Sequence, residues 1–293
     1  MEIVLTVLAI VAPVFLLGSI GFVWARAGYD YPTEFVTRMA MTLAVPCLIF
    51  TALMQADIAP AALTALSLAA LVAYGGVIAL SWALVATLGL DRAAYVAPLA
   101  FGNTGNLGLP LALFAFGDAG LGMAVVVFAV MAILSSTIGL WLVAGGAAPS
   151  KLLREPLLWS ALLGGLFLTM GWQTPDWITR ALGLIGQMSI PLLLITLGVA
   201  IARLKPGLIG RAVWLSGIKL ALGLAAGVTA GRAFGLEPTA FGVLVLQLAT
   251  PVAVTSYLLA ERYRADPDAV AGLVMVSTLM SVATLPVTLS FLL

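Results

Sequence analysis

The residues best suited to chemistry lie within nine positions, Gly102-Asn103-Thr104-Gly105-Asn106-Leu107-Gly108-Leu109-Pro110, with apolar sequence on both sides. Asn103 and Asn106 carry amides that both donate and accept, and Thr104 adds a hydroxyl. Gly102, Gly105, Gly108 and Pro110 are poor residues for a regular helix interior, so the segment predicts an interrupted helix. An interruption leaves free N–H groups and partial positive charge on one half-helix, and free carbonyls and partial negative charge on the other. Glycine lets solute or backbone approach closely. Together these groups suit a small carboxylate held without a full countercharge. The alternative is that they serve only the freed backbone.

Other chemistry is poorly provided for. The chain has no histidine and a single cysteine, Cys47, so disulfides, the Ser-His nucleophile and most zinc sites are excluded. The expectation is no enzyme, no catalytic residue, no metal site and no cofactor. A net charge of +1, with no dense basic cluster, gives no sign of a nucleic-acid partner.

The elements that must hold Asn103 are membrane helices. Of 293 residues, 63% are hydrophobic and 9% charged, and the mean hydropathy is +1.18. A soluble chain carries about 25% charged residues, so the expected partner is the lipid bilayer. Unwound backbone at membrane depth is tolerated only where protein or a water-filled cavity satisfies it. A break there implies a polar site of the kind a solute crosses.

Spans of about 20 residues, bounded by charges and Gly/Pro punctuation, fall near 3–25, 36–55, 60–88, 93–117, 120–144, 156–172, 179–201, 211–234, 238–261 and 269–292. The first lies between Glu2 and Arg26, the reverse of a secretory signal's charge order. Loops after odd spans carry Arg26, Arg38, Arg92, Lys151, Arg154, Arg203, Lys205, Arg211, Arg262 and Arg264, against Arg180 and Arg232 opposite. The positive-inside rule then places both termini outside. The chain divides into a first five-helix repeat (1–145), a cytoplasmic linker (146–155) and a second repeat (156–293).

Internal matches support the division. Pro13, Gly28 and Pro32 recur as Pro156, Gly171 and Pro175, at an offset of 143; Pro46 recurs as Pro191 at 145, and Pro60 and Gly89 as Pro206 and Gly235 at 146. Five spans is odd, so the second copy enters from the opposite side and the repeats are inverted. At the 146 offset Gly105 maps onto Pro251, which marks a second break at Ala249-Thr250-Pro251. Paired breaks in inverted halves point to a midplane site where spans four and nine cross.

Further candidates are weaker. Pro46 and Pro191, near Thr51, Gln187, Ser189 and Thr196, either kink their helices or line a cavity. Ser135, Ser136 and Thr137 offer oxygens to an ion, or bond back to their own helix. Lys219 is the one charge well inside a span and either snorkels toward water or attracts an anion. No Asp or Glu lies deep in a span, which weighs against a sodium/proton antiporter.

Two motifs carry a family resemblance: Asn103-Thr104 followed by Gly108-Leu109-Pro110, and Gln247-Leu248-Ala249-Thr250-Pro251 leading into Ala260-Glu261-Arg262-Tyr263. The chain resembles, over essentially its whole length, the auxin efflux carrier family of bacterial permeases labelled as malate or malonate carriers and plant auxin exporters. The resemblance implies an all-α membrane protein of ten transmembrane helices, two inverted five-helix repeats with broken crossing helices 4 and 9, like sodium/proton antiporters and bile-acid symporters. It implies a scaffold of spans 1, 2, 6 and 7, and a transport domain of spans 3–5 and 8–10 moving elevator-fashion. The expected activity is that of a multi-pass permease of the cell inner (plasma) membrane for small organic anions. The expected contacts are Asn103, Thr104, Gly105, Asn106, Thr250, Pro251 and Val252, with Gln247 nearby. Gly102 stands where plant members have proline, and Val252 where they have a polar residue. A sodium-coupled symporter of the bile-acid type is the alternative, and Na+ or H+ coupling and a homodimer stay open.

Overall fold

A chain this apolar must satisfy its peptide groups within its own segments, and it does so with helices. The computed structural model describes residues 2–56, 58–144, 156–204 and 209–293. The linker expected at 146–155, with Lys151 and Arg154, lies outside the described residues, as do Asp57, Lys205 and Pro206. In chain order the helices are α1 (Glu2–Arg26), α2 (Thr33–Met54), α3 (Pro60–Thr87), α4 (Arg92–Ala100), α5 (Thr104–Ala144), α6 (Pro156–Met170), α7 (Asp176–Arg203), α8 (Ile209–Ala233), α9 (Pro238–Ala249), α10 (Val254–Tyr263) and α11 (Pro267–Leu292). Among the described residues the β-type pairing is one isolated antiparallel bridge, Gly102 to Val252.

Seven of these helices, α1, α2, α3, α5, α7, α8 and α11, are long and apolar enough to cross a bilayer. The sequence leads to ten spans, and the difference lies in α4, α5, α6, α9 and α10. With 9, 15, 12 and 10 residues, α4, α6, α9 and α10 are short for a crossing, which takes about 20 residues. The 41 residues of α5 would run about 60 Å if straight, about twice the hydrocarbon thickness. That length is divided at Gly117, whose φ of 66° and ψ of −159° belong to no α-helix. Only glycine adopts such a conformation without strain.

All seven tryptophans are exposed, from Trp214 at 42% to Trp177 at 72%. Large apolar side chains such as Leu16, Val23, Val72 and Leu80 are exposed as well. An outward apolar surface with tryptophans belongs to a protein solvated by lipid.

Two sets of helices pack within themselves. The second half of α1 and α7 form the tightest pair: a Cβ on Gly21 would overlap the Ile195 carbonyl, and one on Gly198 would overlap the Gly18 carbonyl. The second half of α2 lies on α6 and on the first half of α7. In the other set, α8 packs against α3, α9 and α11, and α3 packs against α4 and α5. Pro46 and Pro191 deform their own helices. A π-turn at Ala40–Ala44 precedes Pro46, and Met188 interrupts α7 just before Pro191, as expected where proline removes a bond and crowds the preceding turn.

The α1–α7 contact yields a test. Gly198→Val forces backbone apart and should cost about 1–3 kcal/mol, read as a lower Tm in detergent. Gly76→Ala, where an added Cβ meets nothing, should leave the Tm unchanged or higher.

Candidate functional site

The break forms because each half-helix reaches a residue that cannot continue it. Helix α4 starts at Asp91, whose carboxylate accepts from the Ala93 N–H at 3.0 Å, and ends at Phe101 in an extended conformation, φ −106° and ψ 120°. Helix α9 ends because a residue before proline is pushed out of the α region; Thr250 sits at φ −60°, ψ 148°. The two extended stretches then pair with each other. The Asn103 N–H donates to the Pro251 carbonyl at 2.7 Å, and the Ala253 N–H to the Phe101 carbonyl at 3.4 Å, flanking the Gly102–Val252 bridge. Beyond the crossing, the Asn103 carbonyl accepts from Leu107 and Gly108 N–H, both at 3.1 Å, opening the π-turn Thr104–Gly108 of α5.

Close approach explains the small residues. A Cβ on Gly102 would overlap the Thr250 hydroxyl, and one on Gly108 would overlap the Gln247 amide. Pro110 follows the π-turn at the start of the α-helical part of α5, as Pro46 follows its π-turn in α2, where a proline crowds the preceding turn. Two C-terminal ends, of α4 and α9, and two N-terminal starts, of α5 and α10, therefore meet at one point.

Lys219 reaches this point from α8. A Cβ on Gly223 would overlap the Leu248 carbonyl, so α8 lies against the end of α9. One turn earlier, buried Lys219 Nζ donates to the Thr250 carbonyl at 2.6 Å. Of the two roles expected of Lys219, snorkelling toward water is not the one seen: its stem turns inward to the carbonyl-rich end of α9, where a cation is favoured. A void of about 10 Å3 beside it is lined by Ser216, Ser277 and Ser281, which is room for about one water.

Several buried polar atoms here have no hydrogen-bond partner: Asn103 Nδ2, Thr104 Oγ1, Gln247 Oε1 and Ser216 Oγ. Leaving such groups unpaired in an apolar medium costs about 1–3 kcal/mol each. A water or a ligand at the crossing would satisfy them. Gln247 Nε2 donates to the Ala124 carbonyl at 3.4 Å, and the Thr250 hydroxyl to the Gln247 carbonyl at 2.6 Å.

The structure thus gathers Gly102, Asn103, Thr104, Gly108, Lys219, Gln247, Thr250, Pro251 and Val252, and separates the remaining candidates. Gly105 lies against Phe128, where an added Cβ would approach the ring to 3.1 Å. Asn106 lines a cavity of about 260 Å3 together with Thr33, Thr37, Thr196, Arg203 and Thr255. Gln187 lines a different cavity, of about 800 Å3, with Thr51, Gln55, Asp118 and Arg180. Thr137 spends its hydroxyl on the Ile133 carbonyl at 2.7 Å, within a π-turn that also holds Ser135. Ser136 lines a small cavity of about 40 Å3 with Ile49 and Phe128. For Thr137 the hydrogen bond is the local one to its own helix that the sequence offered.

Sequence reasoning missed Ser277, whose Oγ accepts from the Val252 N–H at 3.0 Å and so holds the second extended stretch. A signal existed: Ser277, Ser281, Thr284 and Thr288 recur on one face of α11. It also missed Tyr31, whose hydroxyl bonds Thr196 Oγ1 at 2.7 Å beside the 260 Å3 cavity. Burial raises the Tyr31 pKa, against lowering by that hydrogen bond and by Arg203, so the phenol is neutral at pH 7.

Known proteins match over this whole frame. The chain matches the family described as membrane transport protein at residues 6–151 and 145–289. An uncharacterized transporter of Methanothermobacter thermautotrophicus is 31% identical over 97% of this chain and 96% of its own length. Auxin efflux carrier component 1 of Arabidopsis thaliana is 26% identical over 48% of this chain and 23% of its own length.

The Lys219 contact carries a prediction. Lys219→Met removes a charged donor from a buried carbonyl and should destabilise the protein by about 1.5–3 kcal/mol, read as a lower Tm in detergent. An unchanged Tm would show that the bond contributes nothing to holding the crossing.

Proposed function

The chain belongs to the membrane transport protein family that includes the auxin efflux carriers, and from that premise we propose that it is a secondary transporter of small organic anions, working by alternating access at the α4/α5–α9/α10 crossing. It is a transporter and not an enzyme. The observation that carries the substrate class is the set of unpaired buried groups at the crossing, Asn103 Nδ2 and Thr104 Oγ1 above all, beside helix N-termini that favour negative charge.

In this reading the membrane is crossed ten times by two inverted repeats. Dividing α5 at Gly117 with α4 joined to its first part, joining α9 to α10, and taking the 15-residue α6 as a short crossing brings the seven long helices to ten. Support comes from left-handed glycines at the matched positions: Gly28 and Gly171 at φ 82° and 65°, and Gly89 and Gly235 at φ 63° and 59°. The antiparallel bridge fits broken helices entering from opposite sides.

The two packing sets supply a division of labour: α1, α2, α6 and α7 as scaffold, the remainder as the moving part. The cavities of about 260 and 800 Å3 lie where these sets face each other, at opposite ends of α2 and α7. With the termini outside, the smaller cavity opens to the cytoplasm and the larger to the exterior of the plasma membrane.

Uniport is favoured over sodium symport. Half-helix C-termini are where transporters of this kind coordinate Na+, and here Lys219 already sets a cation on the Thr250 carbonyl. An inside-negative potential of 100 mV drives anion export by about 2.3 kcal/mol per charge.

In proteoliposomes, uptake of labelled malonate, malate or indole-3-acetate should saturate, quicken with an inside-positive potential and persist without sodium. Asn103→Ala removes a donor to a charged ligand, a loss of about 10- to 100-fold in affinity. Unchanged uptake by a folded Asn103→Ala protein would refute the assignment, and strict sodium dependence would refute uniport.

A further inference from the structure

Beyond its sign in setting orientation Arg203 has no role described so far, and its surroundings form a built site. Its side chain projects from the end of α7 into the cavity of about 260 Å3 that also reaches Asn106. Two contacts fix it: Nη1 donates to Thr33 Oγ1 at 2.7 Å and Nη2 to the Tyr31 carbonyl at 3.0 Å. The same loop is tied back to α7 by the Tyr31–Thr196 hydrogen bond. A guanidinium has five N–H donors, so clamping it through two leaves others for a ligand. Among the described residues the ion pair found is Arg38 with Glu34, beside Thr33 in the first turns of α2, and no carboxylate lies within ion-pair distance of Arg203.

We propose that Arg203 is the carboxylate-receiving residue of the inner cavity, a first binding position from which the anion passes to Asn106 and the crossing. The inference rests on the anion-transport reading above. Planar, pre-positioned guanidinium suits a carboxylate bidentately and suits it better than the strongly hydrated ammonium of lysine. The hydroxyls of Thr37 and Thr255 line the same space, and Met41, Val254 and Leu258 offer a short carbon skeleton an apolar wall. At about 260 Å3 the space falls below the usual range for drug-sized ligands, about 300–1,000 Å3, which selects a short-chain acid. The attraction acts at the cavity mouth, where Arg203 is exposed, so it acts on capture more than on the translocation step.

The test measures uptake kinetics of labelled malonate, malate and indole-3-acetate in phosphatidylcholine liposomes. Arg203→Gln should raise KM about 10- to 100-fold while kcat stays close to the wild-type value, and it should abolish most of the dependence of KM on ionic strength. Arg203→Lys should recover part of the loss, and Thr33→Ala, which loosens the clamp but keeps the charge, should raise KM less than Arg203→Gln. A wild-type protein inert to all three acids would overturn the transport reading and this inference with it. Active wild type with an unchanged KM and salt dependence in Arg203→Gln would overturn this inference alone. An effect of Arg203→Gln that appears only when phosphatidylglycerol is added would assign the arginine to lipid headgroups and also overturn it.

Discussion

Everything at the centre of this molecule depends on two unwound strands satisfying each other. A peptide group left bare at membrane depth costs several kcal/mol, and Gly102 to Asn103 and Pro251 to Ala253 avoid that cost by pairing across the crossing. The pairing demands an unencumbered backbone, hence glycine at 102, where a side chain would meet the Thr250 hydroxyl. It demands a stop signal at each helix end, hence Pro251. It also holds four half-helix ends together, which gives the site its electrostatic character without a bound ion.

Charge is distributed sparingly around that point. Lys219 faces the carbonyl end of α9, so the C-terminal partial charge is compensated from within the fold. The N-terminal ends at Thr104 and Val254 have no such side-chain partner among the described hydrogen bonds, and beside the first, Asn103 Nδ2 and Thr104 Oγ1 are unpaired. One pole is therefore occupied, and the proposed anion would meet the other. Arg203, farther out, places a positive charge at the mouth of the 260 Å3 cavity.

The sequence made the local features legible and left the long-range ones hidden. The break at Gly102–Pro110 could be read because glycine, asparagine and proline act on their own backbone, and Thr250–Pro251 followed from the repeat offset. The direction of Lys219 could not be read, since its acceptor lies 31 residues away on another helix. Counting along α8 measures only the route to water. The polar face of α11 was visible in the sequence but the role of Ser277 was not: a serine in an apolar helix bonds its own carbonyls, and Ser277 does so with Val274 while also holding Val252. Arg203 was read for its sign in setting orientation, which says nothing of the cavity it lines. Spans four and five were read correctly as apolar sequence, but the helix runs on from Thr104 to Ala144, and only the backbone at Gly117 divides it.

The central claim is that the unpaired groups at the crossing hold the transported anion. The most direct measurement is a structure of the protein with a transported carboxylate bound. The account predicts density for the carboxylate within hydrogen-bonding distance of Asn103 Nδ2 and Thr104 Oγ1, with Lys219 still on the Thr250 carbonyl. Density confined to a cavity that touches neither Asn103 nor Thr104 would contradict it.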